Sequence, residues 1–540
     1  MKKKIHGFIE KIIENDIKKN NQMILRTRFP PEPNGYLHIG HVKSIYLNFT
    51  LAEYYNGLCN LRYDDTNPKK EKKKFVNAIK KDILWMGFNI KNITFTSEYF
   101  DILYTYAVEL IKKKLAYVDQ LTKKEIHDYR GTLKQKGINS PYRNQNVQKN
   151  LDLFSKMKNG FFSEGTVCLR AKINMSSSSI IMRDPVLYRV IESKHYHTQN
   201  KWFIYPTYDF AHCISDAIEG ITHSLCTLEF QENKKLYEWI LTNISVSNYP
   251  RQYEYARLKL EFTILSKRKL QILIEKKIIS GWDDPRIPTI SGLRNKGYTP
   301  ESLRDFVQKT GFSKQDSLIP LHLLESSIRK DLNMKSIRRM AVIDPLLIII
   351  ENIDLLHCEN ITVPNHPNVP TMGSRKIIFS REIYINRDDF KEYADDNYTR
   401  LTYNNEVRLR YAYTIKVTRI EKNKKNEIIK LFCIYDKNTF KTQPKNKKIS
   451  GVIHWISKKN VIPTKFYFYS PLFTIKNPDL EKNFLNYISK KSKIKKNGFI
   501  EKDLPNNISC IPYQFERIGY FIIKKEKNKL TTCHQTVSLK

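Results

Sequence analysis

The chain has 540 residues, too many for one apolar core, so several domains are expected. With 41% hydrophobic and 27% charged residues it has the make-up of a folded globular protein, which excludes a disordered chain, and no apolar run is long enough for a membrane-spanning helix. Lys and Arg outnumber Asp and Glu by 93 to 55, a formal +38 that points to a polyanionic partner such as a nucleic acid, although heavy use of Lys, Asn and Ile also fits drift in an AT-rich genome.

Met1-Lys-Lys-Lys4 is basic, but from Ile5 onward charged and apolar residues mix, so no signal-peptide core follows. Ile5, Phe8, Ile9, Ile12, Ile13 and Ile17 fall on one side of an amphipathic helix ending near Asn20. Met23–Phe29 predicts a strand, broken by Pro30, Pro31 and Pro33 and turned at Asn34-Gly35. A helix then begins near His38-Ile39-Gly40-His41 and runs through Asn48 toward Tyr55. Strand, tight turn and helix N-terminus bind phosphates, because unpaired backbone N–H groups and the positive dipole end face the ligand. The two histidines can add imidazole N–H donors, and Leu265-Ser-Lys-Arg268 can reach the same polyphosphate from far downstream.

Cys59–Asp64 predicts a second buried strand, ending in Asp64 and Asp65 at the edge where a parallel sheet forms its ligand crevice. A helix from Glu71 toward Trp85, the segment Ile93–Thr96 and a helix from Tyr99 to Lys114 continue the alternation of half a doubly wound α/β domain. No G-x-G-x-x-G is present, which argues against a dinucleotide oxidoreductase. From roughly Asp101 to Pro206 the pattern changes to an inserted mixed region, and nucleotide-fold signals resume from Tyr205 through Phe230. Helix signals fill Lys267 to about Arg339. Beyond them, Glu406–Ile415 and Gly451–Ile456 alternate apolar and polar residues, so the last third reads as β-barrels, with Leu346–Ile350 short enough for a buried strand. The lysine runs 422–425 and 490–496 are expected in solvated loops. The eight cysteines include no Cys-x-x-Cys pair and no close Cys/His cluster, so neither a disulfide framework nor a protein-held metal is expected, and a reduced, cytoplasmic protein follows.

His38-Ile-Gly-His41 and Leu265-Ser-Lys-Arg268 resemble the two signatures of class I aminoacyl-tRNA synthetases. The resemblance extends, in chain order, over Phe29–His41, Leu61–Asn67, Tyr208–Asp216, Gly281–Arg286 and Pro364–Pro367, and it is closest to the glutaminyl-tRNA synthetases. Five collinear blocks carry far more weight than one short motif. The resemblance implies a multidomain α/β protein. Its parts are an N-terminal helix over 1–22, a Rossmann-like catalytic domain over 23–100 and 207–262, and an inserted acceptor-stem-binding domain over 101–206. A helical subdomain with the Leu265–Arg268 loop follows over 263–337, and two β-barrel anticodon-binding domains over 338–540.

The implied reaction joins L-glutamine to tRNA(Gln): glutamine attacks the α-phosphate of ATP, and the 2′-OH of the terminal adenosine then takes the acyl group. His38, His41 and Lys267 would act on the phosphates as catalytic groups. ATP would be held by Glu32, Pro33, Asn34, the stretch His38, Ile39, Gly40, His41, Val42, Lys43 and Ser44, and by Thr227, Arg257, Leu258, Leu265, Ser266 and Lys267. Mg²⁺ would accompany the ATP. Ile264 and Leu265 depart from the commonest Lys-Met of the second signature, while Ser266-Lys267-Arg268 is intact. Arg28, Asp64 and Tyr208 would read glutamine. Leu133, Glu232, Arg338, Arg400, Arg410 and Gln514 would contact tRNA, with Leu133 as the wedge at the acceptor end and Glu232 where Asp is common. The implied partners are tRNA(Gln), L-glutamine and ATP, without a membrane, and a monomer is expected. Two alternatives stay open: a glutamyl-tRNA synthetase of the archaeal or eukaryotic type, and a non-catalytic tRNA-binding protein. Cys226 weighs against the first, since such enzymes tend to carry Arg there; the intact phosphate donors weigh against the second.

Overall fold

The protein is described here by a computed structural model covering residues 5, 7–395, 397–440, 442, 449–504, 511–525 and 531–540. Helix α1 (Phe8–Lys19) turns Ile9 and Ile13 into the core, with Ile5 just ahead of it also buried. Strand β1 (Arg26–Phe29) starts later than Met23 and ends where Pro30 and Pro31 withdraw their N–H donors. Helix α2 (Ile39–Tyr54), β2 (Leu58–Tyr63), α3 (Lys73–Trp85) and β3 (Asn92–Phe95) complete a parallel three-stranded sheet in the order β1-β2-β3. α2 buries Ile39, Val42, Ile45, Tyr46, Leu47, Phe49 and Leu51, apolar on nearly every side, as befits a helix walled by other elements.

After α4 (Phe100–Lys112), strands β4 (Ala116–Asp119), β5 (Cys168–Ala171), β6 (Val186–Val190) and β7 (Ile204–Pro206) form a four-stranded antiparallel sheet. Helices α5 (Lys123–Arg130) and α6 (Val147–Lys158) lie in the β4–β5 connection. The parallel arrangement then returns with α7 (Tyr208–Ile218), β8 (His223–Thr227), α8 (Asn233–Asn243) and β9 (Arg251–Tyr255). β8 sits on the free edge of β1. There the Arg26 N–H donates to Thr222 Oγ1 (3.0 Å) and the Thr222 N–H to the Arg26 carbonyl (3.0 Å). The crevice beyond the C-terminal ends of β1 and β8 is therefore a topological switch point, the place where open α/β sheets hold ligands. Apolar packing does not divide at Pro206: Phe210 and Ile214 of α7 and Leu236 and Ile240 of α8 share one core with Phe100, Leu169 and Tyr188.

Strand β10 (Leu258–Leu260) pairs in parallel with β11 (Ser317–Ile319), and around them lie α9 (Lys267–Glu275), α10 (Ile290–Lys296), α11 (Pro300–Thr310) and α12 (Leu321–Lys335). Thr289 and Thr299 cap α10 and α11, and the buried faces of α10 to α12 join the core of α2. The last third forms two seven-stranded, nearly closed sheets. One takes Pro345–Ile350, Glu382–Asn386, Glu406–Leu409, Thr414–Lys422, Ile428–Asp436, Val452–Ile453 and Trp455–Ser457; the other takes Ile337–Arg339, Ala341–Ile343, Val461–Tyr469, Lys493–Glu501, Pro512–Phe515, Gly519–Lys525 and Thr531–Val537. The first is thus inserted, in sequence, into the second.

Two local readings are corrected. Glu406–Ile415 is not one run but a hairpin, turned at Arg410–Tyr413 with Tyr411 at φ 64°. Lys493–Lys496 lie in the strand Lys493–Glu501, whose first five residues are exposed on both faces, and not in a loop. Among the described residues no helix is long and apolar enough to cross a membrane.

Candidate active site

A cavity of about 650 Å³ occupies the switch point. Its walls come from the end of β1, the start of α2, the ends of β8 and β9, β10, the loop before α9, and a segment at Asn477–Leu480 that reaches in from the second barrel. That last contribution was not foreseen.

The start of α2 is built by its own histidines. His38 is the N-cap, with Nδ1 accepting from the Gly40 N–H (3.1 Å), while Nδ1 of His41 accepts from the His38 N–H (3.1 Å). Each ring thus uses Nδ1 as acceptor, which fixes the neutral tautomer with hydrogen on Nε2. Burial, with Lys267 nearby, lowers His38 to about 3 and holds His41 well below its ordinary value, so both are neutral donors at pH 7. Gly40 is required for the packing, since a Cβ there would lie 2.9 Å from Cε1 of His38.

Across the cavity, Lys267 opens α9 behind its N-cap Ser266 and donates to Asn34 Oδ1 (2.5 Å), whose amide in turn donates to Glu32. Burial lowers the Lys267 ammonium and raises the Glu32 carboxyl, and each opposes the other's shift. Leu265 donates its N–H to Asp479 (3.4 Å), and Lys269 donates to the Asp479 and Glu481 carbonyls (2.5 and 3.1 Å), tying the loop to the segment from the barrel. On the remaining wall, Glu229 accepts from Thr227 Oγ1 (2.7 Å) and from Arg257 (3.4 Å).

Of the residues expected around ATP, Glu32, Asn34, His38, Gly40, His41, Ser44, Thr227, Arg257, Leu258, Leu265, Ser266 and Lys267 line this cavity. Pro33, Ile39, Val42 and Lys43 do not. Ile39 and Val42 point into the core, and Lys43 is buried with its ammonium on the Ala256 carbonyl (2.8 Å).

Deeper in the same cavity lie Arg28, Tyr208 and Cys226. Arg28 is fully buried and donates to Asp216 Oδ1 (3.0 Å), the Leu225 carbonyl (2.8 Å) and Ser224 Oγ (2.7 Å). Its Nη2 also lies 2.6 Å from Nε2 of His212, whose Nδ1 lies 3.0 Å from both Asp64 Oδ2 and Nη2 of Arg62. Asp64 also accepts from Arg62 (2.8 Å) and Thr96 (3.0 Å) and stands one layer behind the wall. Burial alone would raise its carboxyl, but Arg62 and His212 bring it down to about 2. Two arginines, two aspartates and one histidine therefore form a buried charge network, joined by Glu219 at 3.7 Å from Arg62, and only the Arg28 end of it meets the cavity. Tyr208 stacks on His212 with ring centres 4.8 Å apart, and burial keeps its phenol protonated. Burial likewise pushes the Cys226 thiol up to about 12, so that wall is neutral. Beneath Tyr208 and Cys226, a void of about 10 Å³ bordered by His212 and Gln252 has room for about one water.

Arg62, His212, Asp216, Glu229 and Gln252 were not singled out from sequence. Arg62, His212 and Asp216 do fall inside the matched stretches Leu61–Asn67 and Tyr208–Asp216, and the i, i+4 spacing of His212 and Asp216 on α7 was a further readable signal.

The expected tRNA contacts lie elsewhere. Leu133 is 81% exposed on a loop pinned by Arg183, which donates to the Arg130, Thr132 and Gln135 carbonyls. Glu232 is on the surface beside Lys235 (3.3 Å). Arg338 and Gln514 are register partners on adjacent strands, and Arg410 pairs with Glu516 (2.7 Å) just beyond. Arg400 meets Asp389 (3.0 Å), which also holds Arg517 (2.9 Å). All four thus gather about the 514–517 turn at the seam of the two barrels. Arg338 is buried and already donates to the Ser336 and Asn333 carbonyls (3.1 and 3.0 Å).

A paired-histidine helix start facing a lysine loop, at the switch point of a parallel sheet, is the site of a class I tRNA synthetase. Family models agree: residues 24–334 match the class I (E and Q) tRNA synthetase catalytic domain, and 336–436 and 452–524 match anticodon-binding domains of the same class. The chain belongs to the class I tRNA synthetases of the E and Q family. Within it, a glutamine–tRNA ligase of Buchnera aphidicola subsp. Schizaphis graminum is 58% identical, with 100% of this chain and 98% of that protein covered. One from Citrobacter koseri is 54% identical over 96% of this chain and 94% of its own length. A solved glutamate tRNA ligase from Elizabethkingia meningosepticum is a more distant likeness, at 18% identity and TM-score 0.44 over 58% of this chain and 70% of that one.

Proposed function

We propose that the protein ligates L-glutamine to tRNA(Gln) through glutaminyl-adenylate, with acyl transfer to the 2′-OH of the terminal adenosine. ATP enters as its Mg²⁺ chelate, the ion held by phosphates and water. The Nε2–H groups of His38 and His41 and the ammonium of Lys267 converge from opposite walls on the phosphates. There they stabilise charge that grows as the α-phosphate is attacked; no protein nucleophile is needed. Lys267 must exchange Asn34 for phosphate as ATP binds. Thr227, Arg257 and Leu258 border the adenosine. Arg28 faces the substrate carboxylate, Asp64 fixes the local charge through Arg62 and His212, and Tyr208 meets the side-chain amide.

Residues 101–206 take the acceptor end, with Leu133 as its wedge and Glu232 at the minor groove. Arg400, Arg410 and Gln514 read unstacked anticodon bases at the barrel seam, and Arg338 supports that surface from beneath. The protein acts as a monomer in the cytoplasm.

The observation that carries the choice of glutamine is the neutral wall at Cys226. Glutamine and glutamate are nearly the same size, so only charge and hydrogen-bond direction separate them. Among the described residues the cation beside that wall, Arg28, is already matched by Asp216. A glutamate side chain there would bury an uncompensated charge at a cost of several kcal/mol, whereas an amide needs only ordinary partners. Side-by-side aminoacylation with the two amino acids tests this: glutamine is used and glutamate rejected, and Cys226→Arg weakens glutamine use while permitting some glutamate activation. A wild-type preference for glutamate would overturn the assignment.

A further inference from the structure

Among the described residues, Lys43 is a buried cation next to the nucleotide cavity that the proposed chemistry leaves unused. It does not line the cavity and is 5% exposed. The ammonium donates to the Ala256 carbonyl (2.8 Å) and lies 5.9 and 5.4 Å from the ring centres of Tyr255 and Phe312. No carboxylate pairs with it among the described residues; Asp316, the acid that acts on it, is bonded to Lys259 (2.7 Å).

A charge kept in such a place must answer a specific need, and the backbone supplies one. β9 ends at Tyr255 and β10 begins at Leu258, so the Ala256 carbonyl falls in the break between two ladders. It is buried, and a buried carbonyl without a donor is costly. This break is also where Arg257 and Leu258 turn onto the cavity wall. The next residue of α2 fastens the same segment, since Ser44 Oγ lies 2.6 Å from the Tyr255 hydroxyl.

We propose that Lys43 is a positioning residue for ATP: by holding the Ala256 carbonyl it fixes the Tyr255–Leu258 segment, and with it the adenosine side of the cavity, to the helix that carries His38 and His41. It touches no phosphate. This rests on the reading of the cavity as an ATP site, and the two can fail separately. In glutamine-dependent ATP–pyrophosphate exchange, Lys43→Met, which keeps the stem and loses the donor, raises KM for ATP about tenfold, the scale of one charge-assisted hydrogen bond. kcat and KM for glutamine stay within about twofold, because the phosphate donors and the glutamine pocket are untouched. Lys43→Gln, which keeps a donor on a shorter stem, falls between the two. A general loosening of the fold would instead raise both KM values and lower kcat together with Tm. A group in direct contact with phosphate would lower kcat.

An unchanged KM for ATP in Lys43→Met, a parallel rise for glutamine, or equal behaviour of the Met and Gln variants overturns the proposal. Should Lys43→Met not fold, Lys43→Gln and Tyr255→Phe decide it: each must raise KM for ATP alone. Absence of glutamine-dependent exchange in the wild type, with tRNA(Gln) present, refutes the functional reading instead.

Discussion

Asp65 and Glu71 are buried behind the site in the β2–α3 connection, and they show how unevenly two neighbouring carboxyl groups can be satisfied. Asp65 accepts from the Ser97 N–H (2.8 Å), the Ser97 hydroxyl (2.7 Å) and Tyr196 (3.0 Å). Glu71 accepts from the Asn67 N–H (2.8 Å) and leaves its other oxygen without a hydrogen bond. His195 faces both at 3.7 Å, while Glu32, Asp64 and Arg189 add charge around Glu71. Burial raises Asp65 to about 7 and Glu71 to about 8. Unfolded carboxyl groups titrate near 4. Between about pH 4 and 8 the folded state thus keeps protons that the unfolded state has released, and the stability they permit is lost as pH rises through 7 and 8. Glu71→Gln, which mimics the protonated form, should raise Tm more at pH 8.5 than at pH 5.5. Thermal unfolding at the two values measures it, and an equal shift would show that Glu71 does not titrate in this range.

The pairing of β1 with β2 depends on one close backbone approach. Gly57 lies between α2 and β2, and a Cβ on it would stand 2.1 Å from the Leu25 carbonyl, which accepts from the Leu58 N–H (2.9 Å) just before the ladder begins. Backbone cannot move aside as a flexible side chain can. Gly57→Ala should therefore destabilise the protein by about 1–3 kcal/mol, the usual cost of forcing atoms into a filled site. Because β1 carries Arg28, the same variant should raise KM for glutamine. Urea unfolding with an unchanged midpoint would show that the turn relaxes freely.

Across the whole molecule, some basic residues are matched inside, in pairs that leave the net +38 unchanged. Arg28, Arg62, Arg170 and Arg375 are buried against Asp216, Asp64, Asp119 and Glu501, and cannot meet a polyanion. Other basic residues lie in the open, as on the strand Lys493–Glu501, where Lys493, Lys495 and Lys496 are exposed. Exposed lysines that neutralise backbone phosphates release counterions, so log affinity for tRNA should fall linearly and steeply with log salt. ATP binding, confined to one cavity, should change much less. Binding isotherms at several salt concentrations distinguish the two; a flat tRNA response would mean that the surface charge is compositional drift.

The sequence by itself determined whatever local chemistry can encode. The Pro30–Gly35 break, the histidine-capped start of α2, the Ser266 cap ahead of Lys267 and the alternation of strands and helices through Phe95 each rest on residues close together in the chain, whose preferences act over one or two turns. The lack of a cation at Cys226 belongs here too, since a cysteine has no positively charged form, although its remaining protonated rests on burial. Tertiary structure decided which of these groups share a wall. It sent Lys43 and Asp64 one layer behind the cavity, brought Asp479 from the second barrel onto the loop of Lys267, and closed Arg28, Arg62, Asp64, His212 and Asp216 into one network. It also closed the strands before and after the first barrel into the second. None of that was legible in the chain, because each contact joins residues far apart in sequence and depends on which buried charges and carbonyls find partners only once the fold is closed.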